Sequence, residues 1–322
     1  MSSTDWVNVA VRRFAENPLI RPEMLPGKDG ANINGPCLLR VPEWVERPLA
    51  KYYLYFAHHG GRHIRMARAD DLHGPWTVHP DGVLGLGDLP TAASHMASPE
   101  ILVDEPARTI RLYFHAALKD GTERVTSGPH RDADWPGQTS HVALSADGLR
   151  FTARPDVLAS SYLRVFRHGA MVYGIAMRGG QAALARSADG LTTFERGAPL
   201  MPRSRHWALL PRGKHLWTFF TRIGDAPERI LLTRLDMTAP WDAWPLTAPP
   251  PAPVLQPQTD YEGARLPAEP SRPSAATDVR QVRDPFVYEE DGRLTLFYSV
   301  AGESGIAAAE LSLVPTSGAA QR

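Results

Sequence analysis

The sequence predicts an all-β protein, a five-bladed β-propeller, and three observations predict it. The 322-residue chain holds 30 prolines and 26 glycines, a turn-rich composition that suits many short strands better than a helical bundle. A motif repeats: Ala143-Leu-Ser-Ala-Asp-Gly-Leu149 before Phe151 returns as Ala185-Arg-Ser-Ala-Asp-Gly-Leu191 before Phe194, and more loosely as Ala67-Arg-Ala-Asp-Asp-Leu72 before Trp76. Five short runs rich in aromatic and β-branched residues have the length and composition of buried strands.

Taken in order, each run is the second strand of a blade. They are Tyr52-Tyr-Leu-Tyr-Phe-Ala57, Ile110-Arg-Leu-Tyr-Phe-His115, Met171-Val-Tyr-Gly-Ile-Ala176, Leu216-Trp-Thr-Phe-Phe-Thr221 and Leu294-Thr-Leu-Phe-Tyr-Ser299. A strand-like segment precedes each, at 36–41, 98–104, 162–166, 206–210 and 284–288. Turns such as Arg167-His168-Gly169 and Glu290-Asp291-Gly292 separate first strand from second, as a hairpin requires. A third strand follows at 64–69, 141–145, 182–187, 230–235 and 306–311. The whole chain, 1–322, is read as one domain with blades near 36–80, 95–155, 158–199, 206–247 and 282–313. The last blade lacks an outer strand of its own, and residues 7–13 are expected to supply it, since closing the ring protects the sheet edges. Insertions fall at 119–139 and 239–281, the second carrying Ala248-Pro-Pro-Pro-Ala-Pro253, an extended connection. A β-sandwich is the competing fold, and the repeat argues against it.

Charge and composition bound the function. Thirty-five basic residues balance 35 acidic ones, so no field of one sign exists to hold a nucleic-acid backbone or an anionic membrane, and neither partner is expected. Thirty-one of the basic residues are arginines, the lysines being Lys28, Lys51, Lys119 and Lys214, which suits planar recognition of carboxylates. The one cysteine, Cys37, has no partner for a disulfide or a redox pair and reads as a buried small side chain. There is no apolar run of signal-peptide or membrane-span length, so a cytoplasmic protein is expected.

In a propeller the first strands line the central channel, so polar residues at their starts converge from blades distant in sequence. Here those starts hold Asn32 and Asn34, then His95 and Glu100, Tyr162 and Arg164, His206, and Arg283 with Asp284. Buried acids, arginines and histidines are costly unless paired, so this lining marks either an ion-pair network or a pocket. The ends of the second strands add His58, His59 and Arg62 on a glycine-rich turn, and His115 in the corresponding place of blade two. Adjacent histidines on a strand face opposite ways, so nothing in the spacing selects for a metal, and neither metal nor cofactor is expected; neutral histidines suit proton transfer or hydrogen bonding. Two charged loops, 222–229 with Arg222 and 260–264 with Glu262, are rim candidates.

The segments Asp29-Gly-Ala-Asn-Ile-Asn-Gly-Pro36, Tyr55-Phe-Ala-His-His59, Ser98-Pro-Glu100, Arg283-Asp-Pro285 and Ser299-Val-Ala-Gly-Glu-Ser-Gly-Ile306 together resemble the five-bladed glycoside hydrolases, a superfamily that includes families 43, 62, 32 and 68. The resemblance runs over all five blades, from about residue 17 to 311, and implies three channel carboxylates: a base in blade one, an aspartate in blade two and a glutamate acid in blade three. Glu100 matches blade two, whereas Asn32 or Asn34 stands in blade one, and Tyr162 and Arg164 stand in blade three. An amide can do the work of neither carboxyl group, so the missing acids must come from elsewhere, with Asp284, Glu262 and Asp225 as candidates.

The expected activity is cleavage of a glycosidic bond in a small oligosaccharide. Glu100, Asp284, His58 and His95 are the catalytic candidates. Asn34, His59, Arg62, His115, Arg164, His206, Arg222, Glu262 and Arg283 are the substrate-binding ones. Two alternatives stand beside it: β-elimination on a uronate held by Arg164, Arg222 or Arg283, and a non-catalytic propeller that binds a glycan or a protein.

Overall fold

The structure is a computed structural model and describes residues 7–178 and 181–315. Five antiparallel sheets form the five-bladed β-propeller that the repeat predicts. The inner strand of each blade touches that of the next, and the fifth returns to the first, so the ring is closed.

Blade one runs Asn34–Arg40, Tyr52–Ala57, His63–Ala69 and Thr77–Val78; blade two runs Ala92–Asp104, Thr109–Leu118, Thr139–Ser145 and Thr152–Ala153. Blade three follows with Arg164–His168, Met171–Arg178, Gln181–Ser187 and Glu195–Pro199. Blade four comprises Ser204–Arg212, His215–Arg222, Ile230–Asp236 and Ala252–Leu255. It therefore extends beyond residue 247, where the sequence reading ended it. The proline run delivers the chain to this outer strand, where Pro253 stands opposite Leu231 on an edge strand, the place in a sheet that tolerates proline. Before it, a 3-10 turn at Trp241–Thr247 buries Trp244 against Phe166 and Tyr173 of blade three.

Blade five is Arg283–Glu290, Arg293–Ser299 and Ile306–Pro315, and its outer strand is Val7–Arg13, with Val11 opposite Leu311. The predicted fastening is thus present. A buried latch secures it: the Arg13 guanidinium donates to Glu262 at 2.8 and 3.1 Å, and the Tyr298 hydroxyl donates to the same carboxylate at 2.8 Å. The backbone N–H groups of Gln258 and Thr259 supply two more donors.

The hydrophobic core is divided among the five seams between blades, such as Tyr55, Met66, Leu112 and Phe114 between blades one and two. The repeated motif closes two of these seams. Ser145 and Asp147 cap the turn at Gly148, and Tyr55 of the preceding blade donates to the Gly148 carbonyl at 2.7 Å. Ser187, Asp189 and Gly190 repeat the arrangement one blade on, with Tyr113 as the donor at 3.0 Å. Gly148 and Gly190 have φ of 74° and 70°, and a Cβ on either would lie within 2.9 Å of the tyrosine oxygen, so only glycine suits both the turn and the approach. Among the described residues no helix is long and apolar enough to cross a membrane.

Candidate active site

Every blade carries one residue in left-handed backbone within or just before its inner strand: Gly35, Ser98, Tyr162, His206 and Asp284, with φ of 61°, 55°, 58°, 53° and 47°. In four blades this residue sits in a break of ladder register, between Asn34 and Cys37, Ala97 and Glu100, Arg205 and Ala208, and Arg283 and Phe286. Such a bulge re-aims side chains. Left-handed backbone costs a side-chain-bearing residue on the order of 1 kcal/mol or more, and all four non-glycine members line one cavity at the centre of the ring. Strain that recurs in four blades and converges on one cavity marks the site.

Asn34, His59, His95, Ala97 and Glu303 complete the lining. The cavity measures about 10 Å³, the space of one water molecule, and His59, His95 and Tyr162 form its half-buried part.

Glu303 is the residue that the sequence reading missed. It lies four residues beyond the second strand of blade five, as His59 lies two residues beyond that of blade one. Extending that rule to blade five would have found it. Donors surround its carboxylate: Asn32 at 2.7 Å, Asn34 at 3.0 Å and Arg283 at 3.0 Å, with His59 Nδ1 at 3.5 Å. Burial alone would raise its pKa, but His59, Asn32 and Arg283 outweigh burial and hold the carboxyl at about 2. Asn32, whose Oδ1 also accepts the His59 N–H at 2.8 Å, fixes both groups.

Asp284 has the opposite environment. It accepts one hydrogen bond from Ser299, at 3.1 Å, and faces His206 Nδ1 at 3.4 Å. Burial first, and then the negative charge of Glu303, push its carboxyl up to about 6 against the pull of Arg283, Arg164 and Arg205. The cavity therefore holds a permanent anion beside a carboxyl group that exchanges its proton near neutrality.

Aromatic rings continue around the wall from blade one to blade four: His59 to His95 at 6.0 Å between centroids, His95 to His115 at 5.0 Å, His115 to Tyr162 at 4.7 Å and Tyr162 to His206 at 5.5 Å. His95 Nε2 and His115 Nε2 share a hydrogen bond at 3.0 Å. Burial lowers His95 to about 4 and drives His115 and His206 well below the ordinary histidine value, so these three are neutral near pH 7. The contact of His206 with Asp284 is accordingly not an ion pair. His59 differs: its pairing with Glu303 raises it.

The other candidates stand elsewhere. Glu100 is not among the cavity residues; it is wedged behind the wall between Arg164 Nη1, at 3.1 Å, and Cys37 Sγ, at 3.9 Å. Burial, opposed by Arg164, brings it to about 7. The one-residue bulge of blade two, between Ala97 and Glu100, accompanies the placing of Ser98, not Glu100, on the channel. Arg164, whose guanidinium also donates to the Pro99 carbonyl, joins blades two and three. Arg283 lies at 3.1 Å from Glu228, which Arg205 holds in a bidentate pair at 2.9 and 2.6 Å. Glu262 is the latch of the N-terminal strand, fully buried and not among the cavity residues. Arg222 is tied to Asp225 at 2.9 Å on the rim. Neither Arg62 nor His58 lines the cavity; the His58 ring is partly buried beside Arg65, and its lowered pKa comes from burial and then that cation.

No protein-family model matches the chain. The uncharacterized protein R118 of Acanthamoeba polyphaga mimivirus is 34% identical over 94% of this chain and 90% of its own length. Among solved structures, an α-L-arabinofuranosidase from Lactobacillus brevis aligns with a TM-score of 0.61 at 12% identity, over 94% of this chain and 95% of that one. A thermostable family-43 glycoside hydrolase aligns at 0.59 and 13% identity, over 90% and 95%. A family-43 enzyme of Xanthomonas citri complexed with xylose aligns at 0.56 and 13%, over 88% and 87%. The chain shares its fold with carbohydrate-active propeller enzymes, as the sequence resemblance implied.

Proposed function

We propose that this chain, which belongs to one family with the mimivirus protein R118, is a glycosidase that hydrolyses a glycosidic bond of a small neutral oligosaccharide at the channel cavity. One observation carries the reading: two carboxyl groups, Glu303 at about 2 and Asp284 at about 6, line the same cavity with proton affinities driven apart by their surroundings. Such a divergence assigns different tasks to the two groups. Glu303 is too weakly basic to take a proton and supplies a fixed negative charge opposite the positive charge that develops on the sugar ring. Asp284, as the carboxylate, takes the proton of the attacking water. The expected catalytic role of Glu100 passes to Glu303.

The arginines favour hydrolysis over elimination. Arg164, Arg205 and Arg283 are committed to Glu100, Glu228 and Glu303 behind the wall, and none of the residues that line the cavity is an arginine or a lysine. A uronate would bring its charge to two acids. A sugar ring also exceeds the present cavity, so binding displaces the half-buried ring of His95.

Incubating the protein with a panel of neutral oligosaccharides and aryl glycosides tests the reading. Reducing ends should appear, without the ultraviolet absorbance of an unsaturated uronate, and D284N should lose about 10²- to 10⁴-fold in kcat/KM, the usual contribution of a positioned proton-transfer group. Full activity in D284N would overturn the assignment, and a glycan bound without turnover would leave the binding-module reading in its place.

A further inference from the structure

The blade-three acid of the hydrolase superfamily has no carboxylate counterpart here, which leaves the leaving-group oxygen without an evident proton donor. Tyr162 stands in that blade, and burial together with Asp284 and Glu303 raises its pKa and keeps the phenol protonated, which makes it a hydrogen-bond donor rather than an acid. We propose that His59 is the general acid, donating its proton to the departing sugar oxygen; this rests on the glycosidase reading above.

The geometry is that of a histidine–carboxylate dyad at the mouth of the cavity. His59 lines the cavity, and its side chain keeps 42% exposure while its partner Glu303 keeps 4%. The ring is therefore oriented from inside and reachable from outside. Its backbone N–H is fixed by Asn32, which also holds Glu303. With Nδ1 directed at Glu303, 3.5 Å away, no partner takes its Nε2 among the described residues. The buried anion also favours the protonated ring. The groups around it are few: Glu303 and Asp284 raise its proton affinity, Arg283 lowers it, and the neighbouring imidazoles of His58 and His95 have lowered pKa values. No other channel histidine can serve, since His95, His115 and His206 are held neutral by burial.

The step balances. The imidazolium gives its Nε2 proton to the glycosidic oxygen as the bond from the anomeric carbon to that oxygen breaks. A water molecule bonds to the anomeric carbon, and its proton passes to the Asp284 carboxylate. Solvent then returns one proton from Asp284 to His59, and the net change is one water consumed per bond cleaved. The rate profile should be bell-shaped, with the acid limb near 6 set by Asp284 and the alkaline limb set by His59.

The test compares wild type with H59Q on two substrates, an oligosaccharide and an aryl glycoside whose nitrophenolate leaving group needs no proton. H59Q should lose about 10²- to 10⁴-fold on the oligosaccharide and less than about tenfold on the aryl glycoside, with the alkaline limb gone. Equal losses on both substrates, or none on either, would overturn the assignment while leaving the glycosidase reading intact. Absence of turnover by the wild type on every substrate would remove that reading and this one with it. Nitrogen NMR titration of the wild type gives a readout independent of turnover: His59 should titrate above the ordinary histidine value, and titration at or below it contradicts the proposal.

Discussion

Asn32 touches no cavity surface, yet it donates to Glu303 at 2.7 Å and accepts from the His59 backbone at 2.8 Å. Its own carbonyl, with those of Asp29 and Ala57, is held by the buried Arg65 guanidinium. The asparagine therefore occupies the place of an expected acid and orients two groups instead of reacting. A second residue-scale pair, Tyr55 and Gly148, shows how far a sequence motif can be understood alone. The repeated Ser-Ala-Asp-Gly turn is visible in the sequence, but its tyrosine partner lies 93 residues away, and no periodicity connects the two. Y55F should lower stability by about 1 kcal/mol through the lost hydrogen bond. G148A should cost more, since it adds left-handed strain of about 1–2 kcal/mol to a clash with that oxygen. Denaturant midpoints measure both, and equal stability in G148A and wild type would remove the clasp.

At the scale of the element, the N-terminal strand is the clearest success of sequence reasoning and Glu262 its clearest failure. An unpaired edge and a spare β-patterned stretch at residues 7–13 sufficed to close blade five. The loop at 260–264 reads as charged, and charge alone does not distinguish a solvated rim from a buried latch; only the fold brings Arg13, Tyr298 and Glu262 together. E262Q leaves the partly exposed Arg13 cation without its counter-charge, and losing charge-assisted hydrogen bonds of this kind should cost about 1.5–3 kcal/mol. Hydrogen exchange should then accelerate in Val7–Arg13 before the rest of the blade. R12A removes a pair whose arginine is 73% exposed, and its effect should be about 0–1 kcal/mol. If the two variants lowered stability alike, the latch would carry no special weight.

Across the whole molecule, the site was legible as a place before it was legible as chemistry. The five inner-strand starts were readable because the repeat fixed their positions, and each contributes a residue to the cavity. Which side chains face inward was not readable, because the bulges shift the strands and exchange Ser98 for Glu100. The buried acids also make stability depend on pH in a definite direction. Glu100 moves from the ordinary 4.5 to about 7 on folding, so the folded protein binds that proton more tightly than the unfolded chain. Its contribution is full below about 4.5 and is lost as pH rises through about 7. Asp284, raised to about 6, acts in the same sense. Glu303, lowered to about 2, acts in the opposite one, its contribution present above 4.5 and lost as pH falls toward 2. E100Q should therefore remove part of the decline: the melting temperature of wild type relative to E100Q should fall between about pH 4.5 and 7, and parallel profiles would contradict the burial argument.

The central claim is that the strained, acid-bearing cavity at the axis is where a glycan is held. A crystal structure of D284N with an oligosaccharide that the wild type cleaves tests it most directly. The expected result is a sugar ring seated among Asn34, His59 and Glu303, with the His95 ring displaced and His59 still directed at Glu303. A sugar bound elsewhere over an unchanged, closed cavity would contradict it.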